Sequence, residues 1–198
     1  MAMNISYKNP LNSSLIEIKE SFKNKDTGEW ECPFLYNSSE LVVTTPKIKI
    51  EDNTILFDSN KREAFVDFIE KLESSVVEHL SENSSKIFKG KKFTKERIKS
   101  SLVPSIYIDD EGVSYIQTSF NENLECFDFF LDRITKEELG EDVIAGVHVK
   151  SIVFNKELFR IDYQLTRLKN YKVVSQKKID FNTDQKQQEE IEEGNFFE

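Results

Sequence analysis

The chain has 198 residues, with 36 acidic against 27 basic side chains for a net charge of −9, and 38% of its residues are hydrophobic. That length suits one domain carrying a tail, and it buries a core without disulfide or metal staples. The acidic balance argues at first sight against a polyphosphate ligand, whose charge attracts basic surfaces.

Short β-branched and aromatic runs open the chain. Leu15 to Lys19, Trp30 to Tyr36, Leu41 to Thr45 and Ile48 to Ile50 read as strands, parted by the turn formers Lys25-Asp26-Thr27-Gly28, Asn37-Ser38-Ser39 and Asp52-Asn53. Asp58-Ser59-Asn60 offers a cap, and Phe65, Phe68, Ile69, Leu72, Val76 and Leu80 then recur at three- and four-residue steps. That spacing predicts a long helix ending near Ser81, its apolar stripe facing the core. A shorter helix is expected from Thr94 through Ile98 to about Leu102, because Pro104 forces the residue before it into an extended backbone. Ile106-Tyr107-Ile108 and Val113-Ser114-Tyr115-Ile116 flank Asp109-Asp110-Glu111-Gly112, a four-residue hairpin loop. Further strands are expected at Cys126 to Phe130, Ile144 to Phe154 and Phe159 to Val174, with Asn155-Lys156-Glu157 as the last turn. Eight or nine strands with one long and one short helix predict a β-rich α+β domain over residues 1–178, with a barrel or sandwich core.

The composition changes at Ile179. Residues 179–198 hold seven acids against Lys186 alone, a net −6, and end in Phe196-Phe197-Glu198. This reads as a disordered acidic tail with an aromatic tip. The remaining 178 residues carry only −3, and two of their segments are basic. Between Lys86 and Lys99 stand Lys86, Lys89, Lys91, Lys92, Lys95, Arg97 and Lys99 against Glu96, a local +6. Between Arg167 and Lys178 stand Arg167, Lys169, Lys172, Lys177 and Lys178 with no acid, a local +5. Aromatics interleave both segments: Phe88 and Phe93 in the first, Tyr171 in the second, Tyr163 just upstream. Single-stranded nucleic acid calls for this composition, since cations track phosphates while aromatic faces stack on unpaired bases. The plainer account of each segment is a solvated Lys-rich loop whose Phe residues pin it to the core.

Enzymatic chemistry finds no purchase. Cys32 and Cys126 stand far apart with no metal or redox spacing, and His79 and His148 sit singly among valines, as structural residues do. No Walker, GxGxxG, HExxH or GxSxG pattern occurs, and no cofactor or metal is expected. No run approaches the roughly 18 apolar residues that span a bilayer, and Met1 to Ser6 lacks a signal-peptide core. An intracellular, cytoplasmic setting is the expectation.

One block resembles a known family. Asn83-Ser84-Ser85-Lys86-Ile87-Phe88-Lys89-Gly90-Lys91-Lys92-Phe93-Thr94-Lys95-Glu96-Arg97-Ile98 looks like the segment after the long helix in single-stranded-DNA-binding proteins of large cytoplasmic DNA viruses, the African swine fever virus type. Pro104-Ser105-Ile106-Tyr107-Ile108 resembles that family's proline-then-strand continuation. Ser151-Ile152-Val153-Phe154 with Phe159 to Leu165 resembles its closing hairpin. The chain departs at Ile87-Phe88, where the family tends to have Trp-Phe, and at Val153-Phe154, where it has a second Trp or Phe. The resemblance spans residues 40–170 and implies an OB-fold-like barrel. The tail is similar to those of bacterial and T7-type phage single-strand-binding proteins, which recruit replication enzymes with it.

These readings converge on a non-enzymatic, largely sequence-independent single-stranded-DNA-binding protein of viral-type replication or repair. Lys86, Lys89, Lys91, Lys92 and Arg97, with Arg167, Lys169 and Lys172, would line the groove. Phe88, Phe93, Tyr107 and Tyr163 would stack on bases. Glu192, Glu193, Phe196, Phe197 and Glu198 would dock a polymerase, primase or helicase. A homo-oligomer fits as well. Three rivals stay open: a viral interaction or regulatory protein that docks a partner through its tail without binding nucleic acid, an RNA-binding OB module, and, third, an enzyme.

Overall fold

The computed structural model of the chain describes residues 2–110, 112–155 and 157–172; Lys177, Lys178 and the whole acidic tail, including Glu192, Glu193, Phe196, Phe197 and Glu198, lie outside them. In chain order come β1 (Ala2–Ser6), β2 (Ile16–Ile18), β3 (Phe22–Lys23), β4 (Trp30–Tyr36), β5 (Glu40–Thr44), β6 (Lys49–Glu51) and β7 (Thr54–Phe57). The helices α1 (Glu63–Glu82), α2 (Ser84–Ile87) and α3 (Lys95–Ser101) follow. Then come β8 (Tyr107–Ile108), β9 (Ser114–Gln117), β10 (Ser119–Phe127), β11 (Val143–Phe154) and β12 (Phe159–Asn170).

The large sheet is organised by the β11–β12 hairpin, twelve residues on each arm. Along the free edge of β11, β5 pairs antiparallel with Gly146 to Val149, and β4 pairs antiparallel with Ser151 to Phe154. β1 adds to β5 and β10 adds to β12, both in parallel, while β2 and β3 take the far edge of β4. Register shifts in the hairpin after Gly146 and after Val149 bend the strands as bulges do. Gly146 belongs at the first shift, because a Cβ there would lie 3.2 Å from Val42 Cγ1. A second, four-stranded antiparallel sheet runs β6-β7-β9-β8.

The expected β-rich architecture with a long and a short helix holds, but the expected barrel does not close. The strand path of the large sheet ends at β1 on one side and β10 on the other, and no pairing joins them. The core lies between the layers instead. Ile55 and Ile116 from the small sheet, Phe65 and Ile69 from α1, and Val43, Val147, Val149 and Tyr163 from the large sheet converge around only about 10 Å³ of free space.

Local corrections have local causes. Asp58 does accept the expected capping bond, from Asn60 N at 3.1 Å, but the turn it caps is 3-10, and α1 begins only at Glu63. The strand expected at Cys126 to Phe130 starts earlier and stops at Phe127. Asp128 ends it by folding its carboxylate back onto the amides of Phe130 and Asp132, at 2.8 and 2.9 Å. Phe130 is left 68% exposed, not buried in a strand. Thr94 caps α3 as expected, accepting from Arg97 N at 3.2 Å.

Candidate functional site

Strand register assembles the site. Lys23 pairs with Trp30, Trp30 with Phe154, and Phe154 with Phe159, so four side chains from β3, β4, β11 and β12 stand in one row. Directly paired residues project to the same face of a sheet. The rings accordingly stack: Trp30 on Phe154 at 6.2 Å and 25°, and Phe154 on Phe159 at 5.5 Å and 22° between centroids and planes. Phe88, at the end of α2, meets Phe154 edge-on at 5.0 Å and Phe93 at 5.0 Å.

The Lys-rich loop is held in place by its backbone. Lys89 and Gly90 take positive φ values of 52° and 90°, reversing the chain as it leaves α2. Gly90 N donates to Ser85 O at 2.6 Å and Phe93 N to Ser84 Oγ at 3.3 Å. The result is a cavity of about 520 Å³ walled by Trp30, Phe88, Phe93, Phe154 and Phe159. Lys89, Lys91 and Arg97 stand at its lining, with Asn155 and Glu157. Its volume falls in the range of small-ligand pockets, roughly 300–1,000 Å³. The Lys89 ammonium lies 5.7 Å from the Trp30 ring centroid and 3.8 Å from the Glu20 carboxylate. Apolar ring faces beside exposed cations make a surface for planar, anionic ligands.

Of the residues singled out from sequence, Phe88, Lys89, Lys91, Phe93 and Arg97 come together here, with Lys86 and Lys92 exposed on the same segment. Phe88 needs a correction of role: it is 4% exposed and forms the floor of the pocket, so its face is spent on other rings. Tyr163 is likewise corrected. Its ring is 3% exposed, its hydroxyl hydrogen-bonds Ser105 Oγ at 2.9 Å, and burial pushes the phenol well above its ordinary range. Tyr107 is half-buried and stacks on Tyr115 in a separate cleft.

The second basic segment does not join the first. Arg167 sits eight residues beyond Phe159 on β12, roughly 26 Å along the strand. Its Nε donates to Glu125 at 3.1 Å, and Arg133 bonds the same carboxylate. Lys169 is 5% exposed, with its ammonium 5.6 Å from the Phe129 ring and its pKa lowered by burial, an arrangement that fills the interior and does not track phosphate. Lys172 is exposed but lies past the far end of β12.

Trp30, Phe154 and Phe159 escaped sequence reasoning as site residues, although Trp30 is the chain's one Trp and is 37% exposed. A lone Trp at a strand start and a Phe at each end of the closing turn were the available signals. Burial pushes the Cys32 thiol up to about 12, and burial lowers His79 and His148. His79 Nε2 accepts from Ile18 N at 3.3 Å, a structural role. Among the described residues no cluster of three or more His, Cys, Asp or Glu is placed to hold a metal.

No protein-family model and no curated protein matches the chain. Among solved structures it is similar to the single-stranded DNA-binding protein from bacteriophage Enc34, with 15% identity and a TM-score of 0.48 over 79% of this chain and 90% of that one. A C-terminal truncation of the phage protein gives 14% identity and a TM-score of 0.47 over 78% and 92% of the two chains. Its complex with single-stranded DNA gives 15% and 0.41 over 79% and 92%.

Proposed function

We propose that the chain binds single-stranded DNA, non-enzymatically and with little sequence preference, in viral-type replication or repair in the cytoplasm. The row Trp30–Phe154–Phe159, opening beside Lys89, Lys91 and Arg97, is the observation that carries this reading. An unpaired base stacks on the exposed face of Trp30 or the half-buried Phe93, and its flanking phosphates meet the three cations. Every base has a π-face, so such a site tolerates any sequence. A duplex keeps its bases inside the stack and offers the pocket nothing flat. Single-stranded DNA binding is also what the phage Enc34 proteins are named for. The acidic tail, by its sequence, adds a docking segment for a polymerase, primase or helicase.

The lone Trp supplies the test. Titrating oligo-dT into the protein should quench Trp30 fluorescence to saturation, with affinity falling as salt rises. Three neutralised phosphates correspond to a slope of about −2 in log K against log salt. Absence of quenching at low salt, or binding indifferent to salt, overturns the reading. An oligo-rU competitor of equal potency would move the assignment to RNA.

A further inference from the structure

The small sheet carries an aromatic pair that its own packing does not require. Its inner face supplies Ile55 and Ile116 to the core, 0% and 2% exposed. Tyr107 and Tyr115 are directly paired across β8 and β9, and Leu56 pairs with Tyr115, so the tyrosines alternate with Ile116 onto the opposite, outward face. Both rings are half-buried and lie parallel, 5.2 Å apart at 17°.

They line a cleft of about 450 Å³ whose other walls are mixed, with Ser105, Gln117, Thr118, Ser119, Arg160 and Asp162 beside the apolar Val103, Pro104 and Ile161. The cleft is a neighbour of the aromatic pocket. Phe159 lines one and Arg160 the other, and only residues 102–104 part Ser101, in the pocket, from Ser105, in the cleft. Between them β12 has a gap in its pairing. It bridges Leu102 at Phe159 and joins β10 only from Gln164, so the edge from Arg160 to Tyr163 stays open toward the cleft.

We propose that the Tyr107–Tyr115 cleft is a second base-stacking subsite, taking a further base of the same DNA strand whose neighbour occupies the Trp30 pocket. This rests on the proposed DNA-binding reading and gives the bound strand a path from the Trp30 pocket, over residues 102–104, to the small sheet. The chemistry of the two subsites differs. Arg160 is already engaged by Glu29 through two bonds of 2.8 and 2.7 Å, which hold the Glu29 carboxyl below its ordinary range, and Asp162 lies beside it. The cleft therefore offers ring faces and hydrogen bonds and no spare cation for a phosphate. Its contribution to affinity is insensitive to salt, whereas that of Lys89, Lys91 and Arg97 is not.

Photo-cross-linking of 5-iodouracil-substituted oligo-dT to the full chain, followed by peptide mapping, separates the outcomes. Adducts at Tyr107 or Tyr115 together with adducts at the Trp30 pocket are expected. Adducts confined to the Trp30 pocket overturn the second subsite and leave DNA binding standing; no adduct and no Trp30 quenching overturn both. A second measurement uses Tyr115→Leu, which keeps an apolar side chain on the sheet. It should weaken a long oligo-dT about tenfold, the loss of one stacked base, with the salt slope unchanged. A cross-strand tyrosine pair serving only the hairpin would lower the melting temperature and leave affinity for the long oligomer where it was.

Discussion

Replacing Trp30 with Leu removes the chain's one indole and keeps an apolar side chain against Phe154. In the free protein the ring is 37% exposed, stacked on Phe154, and approached by the Lys89 ammonium at 5.7 Å. An aromatic pair adds about 0.5–1.5 kcal/mol beyond its buried area, and an exposed cation–π contact about 0.5–1 kcal/mol. The folded state thus loses about 1–2.5 kcal/mol, which leaves a typical domain of this size folded and lowers its melting temperature by about 2–10 °C. The bound state loses a stacked base as well, worth about 1–3 kcal/mol, so affinity should fall about 5- to 150-fold. Fluorescence anisotropy of labelled oligo-dT, measured at fixed salt and well below the variant's melting temperature, reads that loss separately from stability. Trp30→Phe, which restores a π-face, should recover most of it. If Trp30→Leu melts a few degrees earlier but binds within twofold of wild type, Trp30 is a wall of the fold and stacks on no base.

Neutralising Lys89, Lys91 and Arg97 to Gln should lower the salt slope of binding by about 2, whereas Arg167→Gln with Lys172→Gln, at the far end of β12, should leave it unchanged; equal effects would mean that the strand runs along both basic segments. Deleting residues 179–198, which carry seven acids and one base, should tighten single-strand binding most at low salt, and unchanged affinity would remove the tail as a competing polyanion. His79 accepts a bond from Ile18 N, and burial lowers its pKa. Its contribution to stability is therefore fully present above the unfolded value near 6.5 and is lost as pH falls through the lower folded value. Burial gives His148 the same sign, so the His79→Gln/His148→Gln variant should flatten the fall of denaturant midpoints as pH drops below the ordinary histidine value of 6.5; a persisting slope would refute the assignment.

What the sequence discloses depends on how local the cause is. The stripe from Phe65 to Leu80 and the Thr94 cap are written in consecutive residues, and both elements lie close to where those signals put them. Ala2–Ser6 and Thr54–Phe57 carry no comparable mark. The first becomes a strand by pairing in parallel with residues 40–44, and the second by pairing on one side with its hairpin partner Lys49–Glu51 and on the other with a segment more than fifty residues away, at Ser114–Gln117. Closure of a barrel is less local still, since it asks whether β1 and β10, more than one hundred residues apart, meet; they do not.

The site divides along the same line, and the division says what each half does. Interleaved Lys and Phe from 86 to 97 are visible in a single pass, yet on their own they describe a pinned loop as well as they describe a groove. The choice between those descriptions turns on whether exposed ring faces stand opposite the cations. Trp30 lies more than one hundred residues before Phe154 and Phe159, which flank the closing turn, and only the β4–β11–β12 register makes it their neighbour. Phe88, one of the four aromatics that sequence singled out, satisfies both descriptions at once: buried at 4%, it pins the loop to the core, and in doing so it holds Lys89 over Trp30 and props Phe154 from below. Its truncation would therefore damage binding through the geometry of the pocket rather than through loss of a stacking face. Trp30→Leu is for that reason the sharper probe, because it removes a ring face exposed to ligand while leaving the Phe88 floor intact.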